Sequence, residues 1–240
     1  MTIHRFYAPI AAFREGQVSL AESEAHHLRD VLRHAVGDEV NVFDGSGGEF
    51  RCRVEAIAKR SAELIVLGPI ETMAESPLRL TLAAALLKGD KFDLVVKKCV
   101  ELGVSSIVPL ITDRCDVRLK DAGKRVERWE KLVIDATRQC GRATLTAVNE
   151  PLDFRSFVGI ERQGQSILFA ERSGRAFDQV EPTSDIIAII GPEGGWSDGE
   201  LALAEERRVN IVTLGGRILR AETASIAIAA ILQHRFGDIN

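Results

Sequence analysis

The sequence predicts an α/β protein in two parts, a small β-barrel over residues 1–72 and a larger α/β domain over residues 78–240. Three observations predict it. Within the first part, apolar and polar side chains alternate with the period of a half-buried strand. From Leu78 onward, nearly continuous apolar runs take turns with stretches whose apolar residues recur every three or four positions, as in a parallel sheet covered by helices. Between the two, Glu71–Pro77 is polar, short and closed by proline, which suits a boundary.

The elements follow in order. Val40 and Val42, then Phe50, Cys52 and Val54, alternate with polar neighbours on either side of Asp44-Gly45-Ser46-Gly47-Gly48, a turn-rich cluster that predicts a hairpin. Ala62–Leu67 is a further apolar run ending at Gly68-Pro69. Ahead of the hairpin, His26–Arg33 has leucines and valine at helical spacing and leaves His27, Arg29, Asp30 and Arg33 for another face. In the second part, Leu78–Leu87 reads as a strand buried on both faces. Phe92, Val95, Val96, Cys99, Val100 and Leu102 then mark a helix that Gly103 is placed to cap. Ile107–Ile111 is the next strand, and Val126, Trp129, Leu132, Val133, Ala136 and Cys140 mark an amphipathic helix ending at Gly141. Strands are predicted at Ser166–Ala170, Ile186–Ile190 and Asn210–Leu214, and a last helix from about Glu222 to Phe236.

Composition narrows the function. With 240 residues and 45% hydrophobic content the chain can bury a sizeable core. Its four cysteines lie far apart and form no CxxC pair, which argues against a zinc site and against a secreted disulfide framework, so no metal is expected. No segment approaches the roughly 18 apolar residues that a bilayer span requires, and the N-terminus has no export leader. A cytoplasmic protein with no membrane partner is expected. The net charge of −4 is not that of a globally basic nucleic-acid binder, yet Asp113–Arg142 carries nine basic residues against six acidic ones.

Two loops stand where ligands bind in open α/β sheets, beyond the carboxyl ends of strands. One is Gly191-Pro192-Glu193-Gly194-Gly195-Trp196, and the other is Gly215-Gly216-Arg217-Ile218-Leu219-Arg220. Glycine there allows positive φ and close approach of backbone to a ligand, although two tight turns would use it equally. Ser197-Asp198-Gly199-Glu200 has capping-box spacing, so a helix is expected to start directly after the first loop. The GxGxxG, Walker A, HExxH, GxSxG and EF-hand patterns are all missing, which removes the usual support for dinucleotide, nucleotide, hydrolase and metal readings.

Six further segments occur in order: Lys88-Gly89-Asp90-Lys91-Phe92-Asp93, Cys99-Val100-Glu101-Leu102-Gly103, Arg114-Cys115-Asp116-Val117-Arg118, Arg138-Gln139-Cys140-Gly141-Arg142, the Gly191–Trp196 loop, and Arg217–Ala224. Together with His26-His27-Leu28-Arg29 and Val42-Phe43-Asp44-Gly45, they resemble the RsmE family of bacterial 16S ribosomal RNA (uracil-N3) methyltransferases. The resemblance implies a PUA-like N-terminal barrel, a SPOUT-type methyltransferase domain with a trefoil knot, and a homodimer. It also implies S-adenosylmethionine as methyl donor and 16S rRNA in the small ribosomal subunit as partner. Topology rules alone disfavour a knot.

On this resemblance the donor is expected in a cleft of Glu171, Gly191, Pro192, Glu193, Gly194, Gly195, Leu214, Gly215, Arg217, Ile218, Leu219, Thr223 and Ala224. Helix starts at Ser197 and near Glu222 would favour the donor's carboxylate or RNA phosphate. Uracil N3 keeps its imide proton at neutral pH, so an arginine facing the ring oxygens would stabilise the charge that develops as the proton leaves. Arg220 and Arg142 are the catalytic candidates for that task, and Glu222, with Glu171 and Glu193, for the proton acceptor. RNA contacts are expected from His26, His27, Arg29 and Arg33 in the first part and from Arg114, Arg118 and Arg138 in the second. Two other functions stay open on the residues: methylation of another RNA such as tRNA, and a non-catalytic RNA-binding role in ribosome assembly.

Overall fold

The computed structural model describes residues 3–117, 121–172 and 174–239. The chain divides into two units, Met1–Glu75 with Thr137–Leu145, and Ser76–Ala136 with Thr146–Asn240.

In the first unit, β1 (Arg5–Tyr7), β2 (Phe13–Arg14), β3 (Gln17–Leu20), β4 (Glu39–Phe43), β5 (Glu49–Ile57) and β6 (Ala62–Pro69) form one six-stranded sheet in the order β1-β4-β5-β6-β3-β2. β1 runs parallel to β4, and the other pairs are antiparallel. The predicted hairpin is β4–β5, with Val42 opposite Phe50 and Val40 opposite Cys52. Its turn is tied by Asp44, whose Oδ1 accepts from the N–H of Ser46 at 2.7 Å and of Gly48 at 3.0 Å. Two register shifts along β5, at Arg51/Cys52 and Val54/Ala56, add the local twist that curls a sheet around its core. That core includes Phe6, Leu20, Leu28, Val40, Val42, Cys52 and Leu64. The helical segment begins four residues before the predicted start, as α1 (Glu22–His26), and widens into a π turn over His27–Val31.

The first unit also takes in the last turn of α3 (Ala122–Cys140) and the segment to Leu145. Charge holds it there. A helix ends with carbonyls that have no intrahelical donor, and Arg5 supplies them: its Nη1 donates to the carbonyls of Thr137 and Arg138, both at 3.0 Å, and its Nη2 to that of Arg142 at 2.7 Å. Glu49, 6% exposed, balances Arg5. Around this pair, Arg138 binds Glu24 at 2.5 Å and Arg142 binds Glu75 at 2.6 Å.

The second unit is a parallel sheet with helices. Its strands are β7 (Arg79–Ala85), β8 (Ser106–Ile111), β9 (Ala147–Val148), β10 (Leu152–Asp153), β11 (Gln165–Phe169), β12 (Arg175–Ala176), β13 (Asp185–Ile190) and β14 (Asn210–Thr213). They run in the order β10-β8-β7-β13-β11-β14-β12, with β9 beside β8. The helices besides α3 are α2 (Lys91–Glu101), α4 (Phe154–Gly159), α5 (Asp198–Glu206) and α6 (Ala221–Phe236). As the unbroken apolar runs predict, the central strands β7 and β13 bury almost every side chain. β13, β11 and β14 are consecutive neighbours in the sheet, so the loops after them emerge side by side. Among the described residues no helix is long and apolar enough to cross a membrane.

Candidate active site

Those three loops enclose a cavity of about 1030 Å³, and all of its lining belongs to the second unit. The loop after β11 contributes Phe169–Arg172, the loop after β13 contributes Ile190–Trp196, and the β14–α6 connection contributes Thr213–Ala221. Arg114, Asp198, Leu201, Ala224 and Ile228 complete the wall. The cavity therefore gathers Glu171, Gly191, Pro192, Glu193, Gly194, Gly195, Leu214, Gly215, Arg217, Ile218, Leu219 and Ala224. Thr223 is not in the lining, which takes Ala221, Ala224 and Ile228 from α6, residues three and four apart on one face of the helix.

Gly191 and Gly194 stand where a side chain would be crowded, whereas Gly195, Gly215 and Gly216 have open space and instead adopt positive φ. A Cβ on Gly191 would lie 2.9 Å from two atoms of the Trp196 ring, and one on Gly194 would lie 3.1 Å from Cβ of Arg114. Trp196 cannot easily yield, since its Nε1 donates to the carbonyl of Phe169 at 3.0 Å and its ring packs on Phe154 at 4.9 Å between centroids. Arg114 closes the other side by donating from Nη1 to the carbonyl of Gly194 at 3.1 Å.

The two helix starts at the cavity differ. α5 carries the predicted capping box: Ser197 Oγ accepts from the Glu200 N–H, and Glu200 Oε2 accepts from the Ser197 N–H. Asp113 extends it, accepting from Ser197 Oγ at 2.5 Å while its own N–H donates to Glu200 Oε1. With a complete capping box and both Asp198 and Glu200 in its first turn, α5 is poorly suited to a further anion. α6 differs: its first turn holds one acid, Glu222, with Oε1 4.0 Å from Nζ of Lys91. Arg220 is its N-cap residue and provides no side-chain cap, which leaves first-turn N–H groups open beside the cavity. The expectation of two anion-favouring helix starts thus narrows to one.

Arg220 is exposed and lines the cavity, as a uracil-facing arginine requires. Arg142 does not. It is 4% exposed, its guanidinium is held by Glu75, and it lies in the first unit, off the cavity lining. Arg138 is likewise drawn into the first unit by Glu24 and is not displayed for RNA. Glu222 is also off the lining, 14% exposed, with Oε1 4.0 Å from Nζ of Lys91. Arg114, expected to bind RNA, is part of the cavity wall. Arg118 lies outside the described residues.

In the first unit, Arg33 is exposed, His26 is 62% exposed and bonded to Asp30, and the His27 ring packs edge-on against Phe6. Arg29 is engaged by Asp30 and by the carbonyls of Ala58 and Lys59. Its guanidinium holds the Asp30 carboxyl down at about 2. Trp196, Phe169 and Lys91 were not singled out from the sequence; Trp196, closing the Gly191–Trp196 motif, carried the clearest available signal.

The chain matches the model of an RNA methyltransferase domain over residues 74–233 and that of an RNA methyltransferase PUA domain over residues 20–67. It is 36% identical to ribosomal RNA small subunit methyltransferase E of a Synechocystis species, over 90% of this chain and 73% of that one. With the Rickettsia conorii enzyme of the same name it shares 32% identity over 98% and 96% of the two chains. The fold superposes with a TM-score of 0.92, at 35% identity and over the full length of both chains, on a ribosomal RNA small subunit methyltransferase E from Neisseria gonorrhoeae bound to S-adenosyl methionine. The first unit is accordingly PUA-like, and the chain belongs to the ribosomal RNA small subunit methyltransferase E family of RNA methyltransferases.

Proposed function

We propose that this protein transfers the methyl group of S-adenosylmethionine to N3 of one uridine in the decoding region of 16S rRNA. The observation that carries the reading is the glycine-lined cavity between adjacent strand ends with Arg220 in its wall. Its residues fit such a donor. Leu214, Ile218, Leu219, Ile190 and Ile228 offer apolar surface for an adenine ring, the loop backbones offer N–H and C=O groups, and the uncapped start of α6 offers donors to a carboxylate. Ile218 is 70% exposed and Leu219 38%, surface that a bound molecule would cover.

Bound S-adenosylmethionine supplies a methyl group already activated by its sulfonium. The chain's share is then to position the uracil and to stabilise its charge. As the imide proton leaves N3, negative charge spreads onto the ring oxygens, and the Arg220 guanidinium is the group proposed to receive it. Glu171 and Glu193, at the cavity edge, are the carboxylates proposed to take the proton. RNA phosphates would be met by exposed cations of the PUA-like unit, Arg33 among them. The same reading includes a trefoil knot, which follows from the family resemblance. It also includes a homodimer and a cytoplasmic setting, both following from the family resemblance.

The test is methyl transfer from labelled donor to small subunits lacking the modification, with the modified nucleotide located by mass spectrometry. Arg220→Ala should lower the rate by about 100- to 1000-fold, the cost of one lost oxyanion donor, while donor affinity changes little. Methylation at another base or in tRNA would refute the assignment of substrate.

A further inference from the structure

Lys91 is the first residue of α2, and its Nζ reaches two carboxylates from two different loops. It pairs with Glu193 of the loop after β13, and it stands 4.0 Å from Oε1 of Glu222 in the first turn of α6. The two loops are the glycine-rich walls of the cavity, while Lys91 itself is outside the lining.

Three features single the arrangement out. First, Glu222 Oε2 is buried with no hydrogen-bond partner among the described residues, a costly position for an acceptor on a charged group unless a cation offsets it. Lys91 is the one cation paired with Glu222 among those residues. Second, a lysine at the first position of a helix opposes the macrodipole, which favours acids there. Asp90 makes no side-chain cap bond, and the acid of the first turn, Asp93, is taken up by Arg128 and by Trp129 Nε1, so neither pairs with Lys91. Third, the neighbouring lysine is committed elsewhere: Lys88 pairs with Asp116 at 2.7 Å. Places where local preference is broken without local compensation are where a functional constraint is expected.

We propose that Lys91 is a positioning residue that ties the two glycine-rich loops together through Glu193 and Glu222, and so sets the width of the donor cavity. The proposal rests on the reading of that cavity as the S-adenosylmethionine site. The loop after β13 is anchored by Trp196 and Arg114, so the β14–α6 connection, which turns through Gly215 and Gly216 at φ of 74° and 75°, is the wall whose position is independent of it. One ammonium between both carboxylates removes that independence. Without it two like charges are left, Glu193 in the wall and the mostly buried Glu222 behind it, and the loops separate.

The experiment is calorimetric titration of the full-length protein with S-adenosylmethionine, for the wild type, Lys91→Met, Lys91→Arg, the Glu193→Gln/Glu222→Gln double variant and the triple variant combining it with Lys91→Met. Thermal unfolding of each checks that it is folded. Lys91→Met should weaken binding on the order of tenfold, within the roughly 5- to 150-fold span by which linked sites act on each other. Lys91→Arg should restore most of the loss. In the background lacking both carboxylates, Lys91→Met should cost less than about twofold, because residues acting as one unit are not additive. A folded Lys91→Met with wild-type affinity overturns the proposal, and so does an equal loss in both backgrounds. A wild type that does not bind the donor overturns the cavity assignment instead.

Discussion

Replacing Gly191 by alanine puts one methyl group against the ring that floors the cavity. The new Cβ would lie 2.9 Å from Cε2 and Nε1 of Trp196, where ordinary contact begins near 3.4 Å, so the ring has to retreat by about half an ångström. It has little room, being 8% exposed, packed on Phe154 and hydrogen-bonded to the carbonyl of Phe169. Overpacking of this kind costs about 1 to 3 kcal/mol, and a buried bond left unmade costs a similar amount. A loss of about 2 to 6 kcal/mol is expected if the ring moves far enough to release Phe169. Urea unfolding followed by tryptophan fluorescence measures it, and donor titration should show weaker binding, because the loop carrying Gly191 shifts with the ring. Gly199→Ala is the control. Its Cβ would meet only Ser197 Oγ at 3.9 Å, in the first turn of α5, so it should be neutral or stabilising by up to about 1 kcal/mol. A Gly191→Ala protein that unfolds like the wild type and binds donor equally well would refute the tight-packing reason for glycine here.

Removing one phosphate contact lowers the salt slope of RNA binding by about 0.7 to 0.9; Arg33→Gln should do this, whereas Arg138→Gln should leave the slope unchanged and lower stability by breaking the pair with Glu24. Asp30→Asn should strengthen RNA binding by freeing Arg29, provided that Arg29 then reaches phosphate rather than keeping its bonds to Ala58 and Lys59. The Asp30 carboxyl is depressed from its ordinary value to about 2 by Arg29, so the pair is complete above the unfolded range near 4 and is lost only as pH falls through about 2. Binding measured between pH 5 and 8 should therefore show no titration from this pair, and a step in the wild type that vanishes in Asp30→Asn would count against it.

Much of the fold was legible because it is written in period. The hairpin of β4 and β5, the doubly buried β7 and β13, the amphipathic α2 and α3 and the capping box of α5 all follow from spacing that burial then requires. What escaped was short. β1, β2, β9, β10 and β12 have two or three residues each, too few to display an alternation, and β1 joins the sheet through a parallel pairing that no local turn signals. Passage of the end of α3 into the first unit also has no local signature, because it depends on Arg5 capping carbonyls more than 130 residues away. The cavity was legible from its glycines, while Lys91 was not, since a pair between residues 102 positions apart leaves no pattern in either neighbourhood.

The same reasoning explains why arginines that look equivalent in sequence are not equivalent in the structure. Arg138, Arg142 and Arg220 all lie in motifs that resemble one family, and charge alone cannot rank them. Their partners do. Arg138 is paired with the largely buried Glu24, and the buried guanidinium of Arg142 is held by Glu75, so neither is turned toward a substrate that comes and goes. Arg220 stands at the opposite extreme: it is an N-cap residue without a capping bond, exposed in the wall of the cavity, at a position where serine, threonine or aspartate would have made a more stable helix. A helix start that gives up its cap while its neighbour α5 keeps a complete one is explained if the open N–H groups and the guanidinium serve a bound molecule rather than the fold.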